Sequence, residues 1–175
     1  INDAAGCDWS FYYKTTDYRC KTSFDILRAT EEGTAENAFA VGKIDRVAEE
    51  LKKFEAEDIP VLWRPLHEAD GNWFWWGNRK NDGGESVRAY KKLWYIIFDR
   101  LENYHKLTNL IWVWNGQSRE TLVSPNTFDF CGEDVYSENR LDHSSQKERY
   151  LELISYTCGK RAALSECGYL PDPEN

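Results

Sequence analysis

Apolar residues at Val41, Ile44, Val47, Ala48, Leu51 and Phe54 recur in steps of three and four. That spacing predicts one buried face of a helix over residues 37–57. The pattern then changes to a buried-looking run, 59–66, with Pro60 at its start, where a missing N–H is tolerated; it reads as a strand. Gly83-Gly84 breaks the chain before a second helical pattern over 85–105, carried by Val87, Tyr90, Leu93, Trp94, Ile97, Leu101 and Tyr104. Residues 110–114 are apolar throughout, as suits a parallel strand covered on both faces. A third strand is predicted over 128–136, although Asp129, Glu133 and Asp134 interrupt it, with Glu133 where an apolar residue would be more comfortable. Tyr150, Leu151, Ile154 and Cys158 mark a helix over 145–158 that Gly159 stops, and 162–166 closes the series as a short strand. Residues 1–33 show no sustained period and read as irregular.

Strands separated by helical segments imply βαβ crossovers and a parallel sheet. The predicted class is therefore α/β, with four parallel strands. No repeat or linker divides the 175 residues, so one domain is expected. The sequence lacks methionine and opens inside a polar loop, and it reads as a piece of a longer protein truncated at both ends.

Charge narrows the partners. Thirty acidic side chains against 22 basic ones give a net charge of −8, which disfavours nucleic acid and anionic membranes. Nothing approaches the ~18 consecutive apolar residues of a membrane span. The five cysteines, Cys7, Cys20, Cys131, Cys158 and Cys167, include no C-x-x-C pair, and no zinc site is expected. Cys131 and Cys167 lie in strand-like runs and read as buried thiols. Cys7 and Cys20 flank a polar loop and could pair in a secreted protein; free thiols are the alternative.

The chemistry concentrates in Trp63-Arg64-Pro65-Leu66-His67-Glu68-Ala69-Asp70-Gly71-Asn72-Trp73-Phe74-Trp75-Trp76-Gly77. A strand ends at a His-Glu pair and opens into a Gly/Asn turn carrying three tryptophans and a phenylalanine. A carboxylate delivered into an aromatic-walled cleft suits sugars: it can pass a proton to a glycosidic oxygen while flat rings pack on pyranose C–H faces. An aromatic turn that only packs is the plain alternative.

This segment resembles the fourth-strand signature of glycoside hydrolase family 26, the β-mannanase family of retaining (β/α)8-barrel enzymes. Three more segments follow in the family's order. Asn109-Leu110-Ile111-Trp112-Val113-Trp114-Asn115 is similar to its fifth strand, and Phe128-Asp129-Phe130-Cys131-Gly132-Glu133-Asp134-Val135-Tyr136 to its sixth. Ala162-Ala163-Leu164-Ser165-Glu166-Cys167-Gly168 resembles the seventh, which carries the nucleophile. The resemblance implies a TIM-type barrel present here only as about strands 4–7 of eight, since a whole barrel needs about 250 residues. Four parallel strands cannot close that barrel by themselves.

The resemblance also implies roles. Glu68 corresponds to the acid/base and Glu166 to the nucleophile. His67 is the acid's neighbour, and Tyr136 is the tyrosine whose hydroxyl holds the nucleophile ionised. Trp73 lines the site near the cleaved bond, while Trp75 and Trp76 divide between wall and core. Trp114 and Asn115 end a strand where they could touch substrate. Arg64 could pair with Glu166 inside the barrel, or form a purely structural ion pair. His105 and His143 have no assigned role. The implied partner is β-mannan or a manno-oligosaccharide, with no cofactor and no metal, in a protein expected outside the cell or at its surface. The rivals are the same mechanism on mixed-linkage glucan or β-1,3-xylan, and a glycan-binding piece whose carboxylates are idle.

Overall fold

The computed structural model describes residues 10–16, 20–139 and 141–172. Two short parallel strands, β1 (Tyr12–Tyr13) and β2 (Lys21–Thr22), and a one-turn helix α1 (Ile26–Ala29) occupy the stretch that shows no period in sequence. Helix α2 (Ala35–Glu55) follows, started by Thr34, whose hydroxyl accepts the Asn37 N–H at 3.1 Å.

The main sheet is parallel, in the order β3 (Val61–Trp63), β4 (Leu110–Trp114), β5 (Phe130–Val135), β6 (Arg161–Cys167). Helix α3 (Glu85–Phe98) connects β3 to β4, and α4 (Lys147–Tyr156) connects β5 to β6. The architecture is a partial (β/α)8 fold, four strands with their helices. The predicted strand over 59–66 is regular for only three residues, because Pro65 lacks an N–H and Leu66 turns to a φ of 53°. The predicted second helix changes character at its end: Asp99–Tyr104 widens into a π-turn that closes with the His105 N–H on the Arg100 carbonyl.

The core lies between the sheet and its helices. Strand alternation explains its composition, because every second side chain points to the helical layer. Trp112 packs edge-on against Trp94 at 5.6 Å, and Trp114 lies against Phe128 and Tyr156. Trp94 and Trp114 are fully buried. Glu133 also points outward, where Arg149 of α4 meets it at 3.3 Å, so a charge sits where an apolar residue was expected. The opposite face of the sheet carries Arg64, Asn115, Gly132 and Asp134. On that face Leu62 is 69% exposed.

Cys20 is disulfide-bonded, and Cys7 lies outside the described residues. Cys131 is a buried free thiol as expected, Cys167 is half-buried and Cys158 exposed, both free. Among the described residues no helix is long and apolar enough to cross a membrane.

Asp45 of α2 ties that helix to the turn after α3, accepting from Arg100 at 2.6 and 2.8 Å with His105 Nε2 at 2.8 Å. The Arg100 hydrogen bonds hold its carboxyl down at about 2, against the opposing effect of partial burial. A depressed carboxyl contributes stability above its unfolded pKa and loses it as pH falls through the folded value. Asp45→Asn should therefore lower the thermal midpoint near neutral pH by about 1–3 °C, as a partly exposed pair allows. The difference from the parent should close between about pH 4 and pH 2; a gap unchanged across that window in melting curves would refute it.

Candidate active site

The C-terminal ends of β3, β5 and β6 converge on one cleft of about 470 Å³, lined by Tyr12, His67, Glu68, Trp73, Phe74, Tyr136 and Glu166. Glu68 sits just beyond β3 in the left-handed region, φ 54°, which a residue with a Cβ rarely adopts. Its N–H donates to the Asn115 carbonyl at 2.7 Å, and its carbonyl accepts from Gly71 at 3.1 Å. These contacts hold the strained backbone and aim the side chain across the cleft.

Glu166 reaches the same cleft through a β-bulge. Register along β5 and β6 runs Glu133↔Leu164 and then Asp134↔Glu166, leaving Ser165 as an extra residue. Simple alternation would turn Glu166 toward α4. The bulge puts both Ser165 and Glu166 on the inner face, where Ser165 donates to Asp134 and to the Glu133 carbonyl. Gly132 makes room, since a Cβ there would meet the Ser165 hydroxyl at 2.5 Å.

One carboxylate oxygen each from Glu68, Asp134 and Glu166 lies within 4.8 Å of the other two. Arg64 settles two of these charges. Its guanidinium donates to Glu166, to the fully buried Asp134 carboxylate at 3.0 and 3.2 Å, and to Asn115 Oδ1 at 2.7 Å. With that positive charge already in place, a divalent cation would have to compete with the arginine for two of the three carboxylates.

The two glutamates are pushed in opposite directions. Partial burial raises the Glu68 carboxyl above its ordinary range. The Trp73 indole N–H, donating to Glu68 Oε2 at 2.8 Å, works against that rise, and the charges of Asp134 and Glu166 add to it. Burial also disfavours ionised Glu166, but donors from Arg64 and from the Tyr136 hydroxyl at 2.8 Å outweigh it and hold that carboxyl low. The Glu166 carboxylate in turn pushes the Tyr136 phenol up to about 12. His67 is driven toward its neutral form by burial and then by Arg64.

Of the residues singled out in sequence, the structure brings His67, Glu68, Trp73, Tyr136 and Glu166 together around this cleft, with Arg64 beside Glu166. Trp114 is a correction. Residues 112 and 114 share the helix-facing side of β4, so Trp114 is fully buried and only Asn115 turns inward. Trp76 is 6% exposed, stacks on Phe74 at 4.5 Å and donates to the His67 carbonyl, so it backs the wall from the core side. Trp75 lines a separate apolar groove of about 570 Å³ beside α2, with Phe24, Phe39 and Ile44, where neither catalytic candidate lies.

Three residues of the site escaped sequence reading. Tyr12 lies in a stretch without period and carried no signal. Phe74 was read only as part of the aromatic turn. Asp134 was taken as an interruption of a strand, yet its two-residue spacing from Gly132 and Tyr136 marks a shared face.

Known proteins give this geometry a context. The profile of glycosyl hydrolase family 26 matches residues 2–175. The mannan endo-1,4-β-mannosidase B of Piromyces sp is 40% identical over 94% of this chain, which spans 28% of that relative's length. The mannan endo-1,4-β-mannosidase of Thermothelomyces thermophilus is 36% identical over 95% of the chain, or 32% of its own. A β-mannanase from a symbiotic protist of the termite Reticulitermes speratus, crystallised with a gluco-manno-oligosaccharide, superposes with a TM-score of 0.85 at 34% identity. That match covers 98% of this chain and 52% of the protist protein. The β-(1,4)-mannanase of Podospora anserina matches at a TM-score of 0.75 and 37% identity, over 93% of this chain and 34% of its own. With a half-barrel sheet, two opposed glutamates at one rim and a profile match across nearly every residue, the chain belongs to glycosyl hydrolase family 26.

Proposed function

We propose that the protein carrying this chain is a retaining endo-β-1,4-mannanase that cleaves internal bonds of mannan, glucomannan or galactomannan. The observation that carries the reading is the pair of glutamates with carboxylate oxygens within 4.8 Å and opposite ionisation tendencies. Retaining glycosidases hold their carboxyl groups about 5–5.5 Å apart, whereas inverting ones leave about 6.5–9.5 Å for a water. Carboxylate oxygens within 4.8 Å support the retaining arrangement. The names of the relatives support mannan as substrate.

In the first step neutral Glu68 gives its proton to the glycosidic oxygen while ionised Glu166 attacks the anomeric carbon. The C–O bond breaks, its electron pair leaves with the departing sugar, and a glycosyl ester forms on Glu166. In the second step Glu68, now a carboxylate, takes a proton from water as that water attacks the same carbon and frees Glu166. Two inversions give net retention. Arg64 keeps Glu166 charged and nucleophilic, and Tyr136 holds its second oxygen. Asp134 keeps a negative charge near Glu68, which favours the proton-loaded acid. Trp73, Phe74 and His67 supply the wall for the sugar, and a polysaccharide substrate fits a protein acting outside the cell.

Reducing-sugar release from mannan, set against lichenan and β-1,3-xylan, tests the substrate. Release from mannan is expected, and binding to insoluble mannan without hydrolysis would replace the reading with a glycan-binding role. In the intact protein, Glu68→Ala and Glu166→Ala should each lower kcat on mannan by roughly 10³-fold or more. On a substrate with a good leaving group azide should restore part of the activity to both variants. The product should be a glycosyl azide of retained configuration with Glu68→Ala, where azide resolves the ester without a general base, and of inverted configuration with Glu166→Ala, where it takes the place of the missing nucleophile. Near-normal activity in either variant would unseat that residue.

Tyr136→Phe removes one donor that keeps Glu166 ionised, so the Glu166 pKa should rise. The acidic limb of the kcat/KM profile should move to higher pH, while the basic limb, set by Glu68, stays. An unmoved acidic limb would separate Tyr136 from the nucleophile's charge.

A further inference from the structure

Trp73 does more than wall the cleft. Its carbonyl accepts the Tyr13 N–H at 2.7 Å, and two residues on the Trp75 N–H donates to the Phe11 carbonyl at 2.9 Å. Tyr12 and Phe74 form an antiparallel bridge between these bonds and stack ring on ring at 5.5 Å and 18°. Phe74 in turn stacks on buried Trp76 at 4.5 Å and 16°, so the loop is fastened through backbone and rings alike. Arg79 lies 4.4 Å over the Tyr13 ring, and its ion pair with Asp25 ties β1 to α1.

The indole itself lies against Gly71, where a Cβ would meet Trp73 ring atoms at 2.4 Å; a Cβ on Gly77 would meet the Gly71 carbonyl oxygen at 2.1 Å. Gly71 thus gives the ring a bed that any side chain would lift it from, and Gly77 lets the Gly71 backbone lie close. From that position the indole N–H donates to Glu68 Oε2 at 2.8 Å.

We propose that Trp73, fixed by β1 and the Gly71 bed, is a positioning residue that decides which oxygen of Glu68 carries the catalytic proton. A carboxylic acid accepts hydrogen bonds best at its carbonyl oxygen, and indole can only donate. With its N–H on Oε2, that oxygen is the carbonyl and the proton sits on Oε1. Proton transfer then has one route. The Oε1–H bond breaks, a bond to the glycosidic oxygen forms, and the electron pair of the broken sugar C–O bond goes to that oxygen. On the return step Oε1 takes the proton from water while Oε2 stays held. The same donor favours ionised Glu68, moderating the effect of burial so that the group can act as acid and then as base. This role rests on Glu68 being the acid/base of the proposed mechanism.

The test removes the donor without removing the ring. In the full chain, Trp73 is replaced by its benzothiophene isostere, which has sulfur in place of the N–H, and separately by Phe through Trp73→Phe. The Glu68 carboxyl is followed by carbon NMR titration of the ligand-free protein. Both forms should titrate at higher pH than the parent, and Gly71→Ala, which displaces the indole, should do the same. On mannan the isostere should lose roughly ten-fold in kcat, less than the 10²–10⁴-fold of losing general acid catalysis outright, with KM little changed. Its basic limb should move upward. An isostere that titrates like the parent, or raises KM with kcat intact, would overturn the proposal and leave Trp73 as a sugar platform alone. The titration needs no substrate. A parent protein that leaves mannan untouched would therefore count against the proposed function, while the NMR result still decides the role of Trp73.

Discussion

Everything at the rim is organised by one half-buried guanidinium. Arg64 lies between the fully buried carboxylate of Asp134 and the partly exposed one of Glu166, with the Asn115 amide oxygen as a third acceptor. Removing water from such a charge cluster is costly, and the cost is offset only when donors and acceptors are matched in number and direction. A planar fork reaching three strands does this in a way a lysine could not. The same cation makes the chemistry asymmetric. It stands beside Glu166, while at Glu68 burial and two neighbouring negative charges prevail, so two residues of one type are pushed in opposite directions.

The aromatic turn shows how one short sequence serves several purposes. Trp73 and Phe74 face the cleft, Trp76 closes the core beneath them, and Trp75 turns toward α2. The turn has no regular hydrogen-bond ladder of its own and borrows one from β1. An irregular-looking segment far upstream in sequence thereby stiffens the loop that holds Glu68.

Much of this was legible because it rests on period. The three-and-four spacing through Ile44 and Leu51 marked α2, and an unbroken apolar run marked β4. Glu68 and Glu166 could be named because their segments resemble those of a glycosidase family whose strand ends share one rim. What period could not reveal is where period fails. Counting by twos from Ala163 turns Glu166 away from the cleft, and only the extra residue at Ser165 brings it back. Trp114 erred in the opposite sense: strict alternation held, and it placed that ring among the helices. Tyr12 and the stitch to Trp73 depend on contacts between segments some sixty positions apart, which neither composition nor spacing encodes.

The left-handed backbone at Glu68 carries a consequence for how such a protein can evolve. A non-glycine residue held at φ 54° costs on the order of 1–3 kcal/mol. The same side chain is partly stripped of water and faces two like charges. Each of these burdens would be lighter with glycine or asparagine at position 68. Selection for folding alone would discard the glutamate, and under the proposed mechanism only selection for turnover retains it. A lineage released from the need to cut its substrate should therefore drift first at this position, gaining robustness as it loses the reaction and keeping the aromatic wall as a surface that still fits sugars.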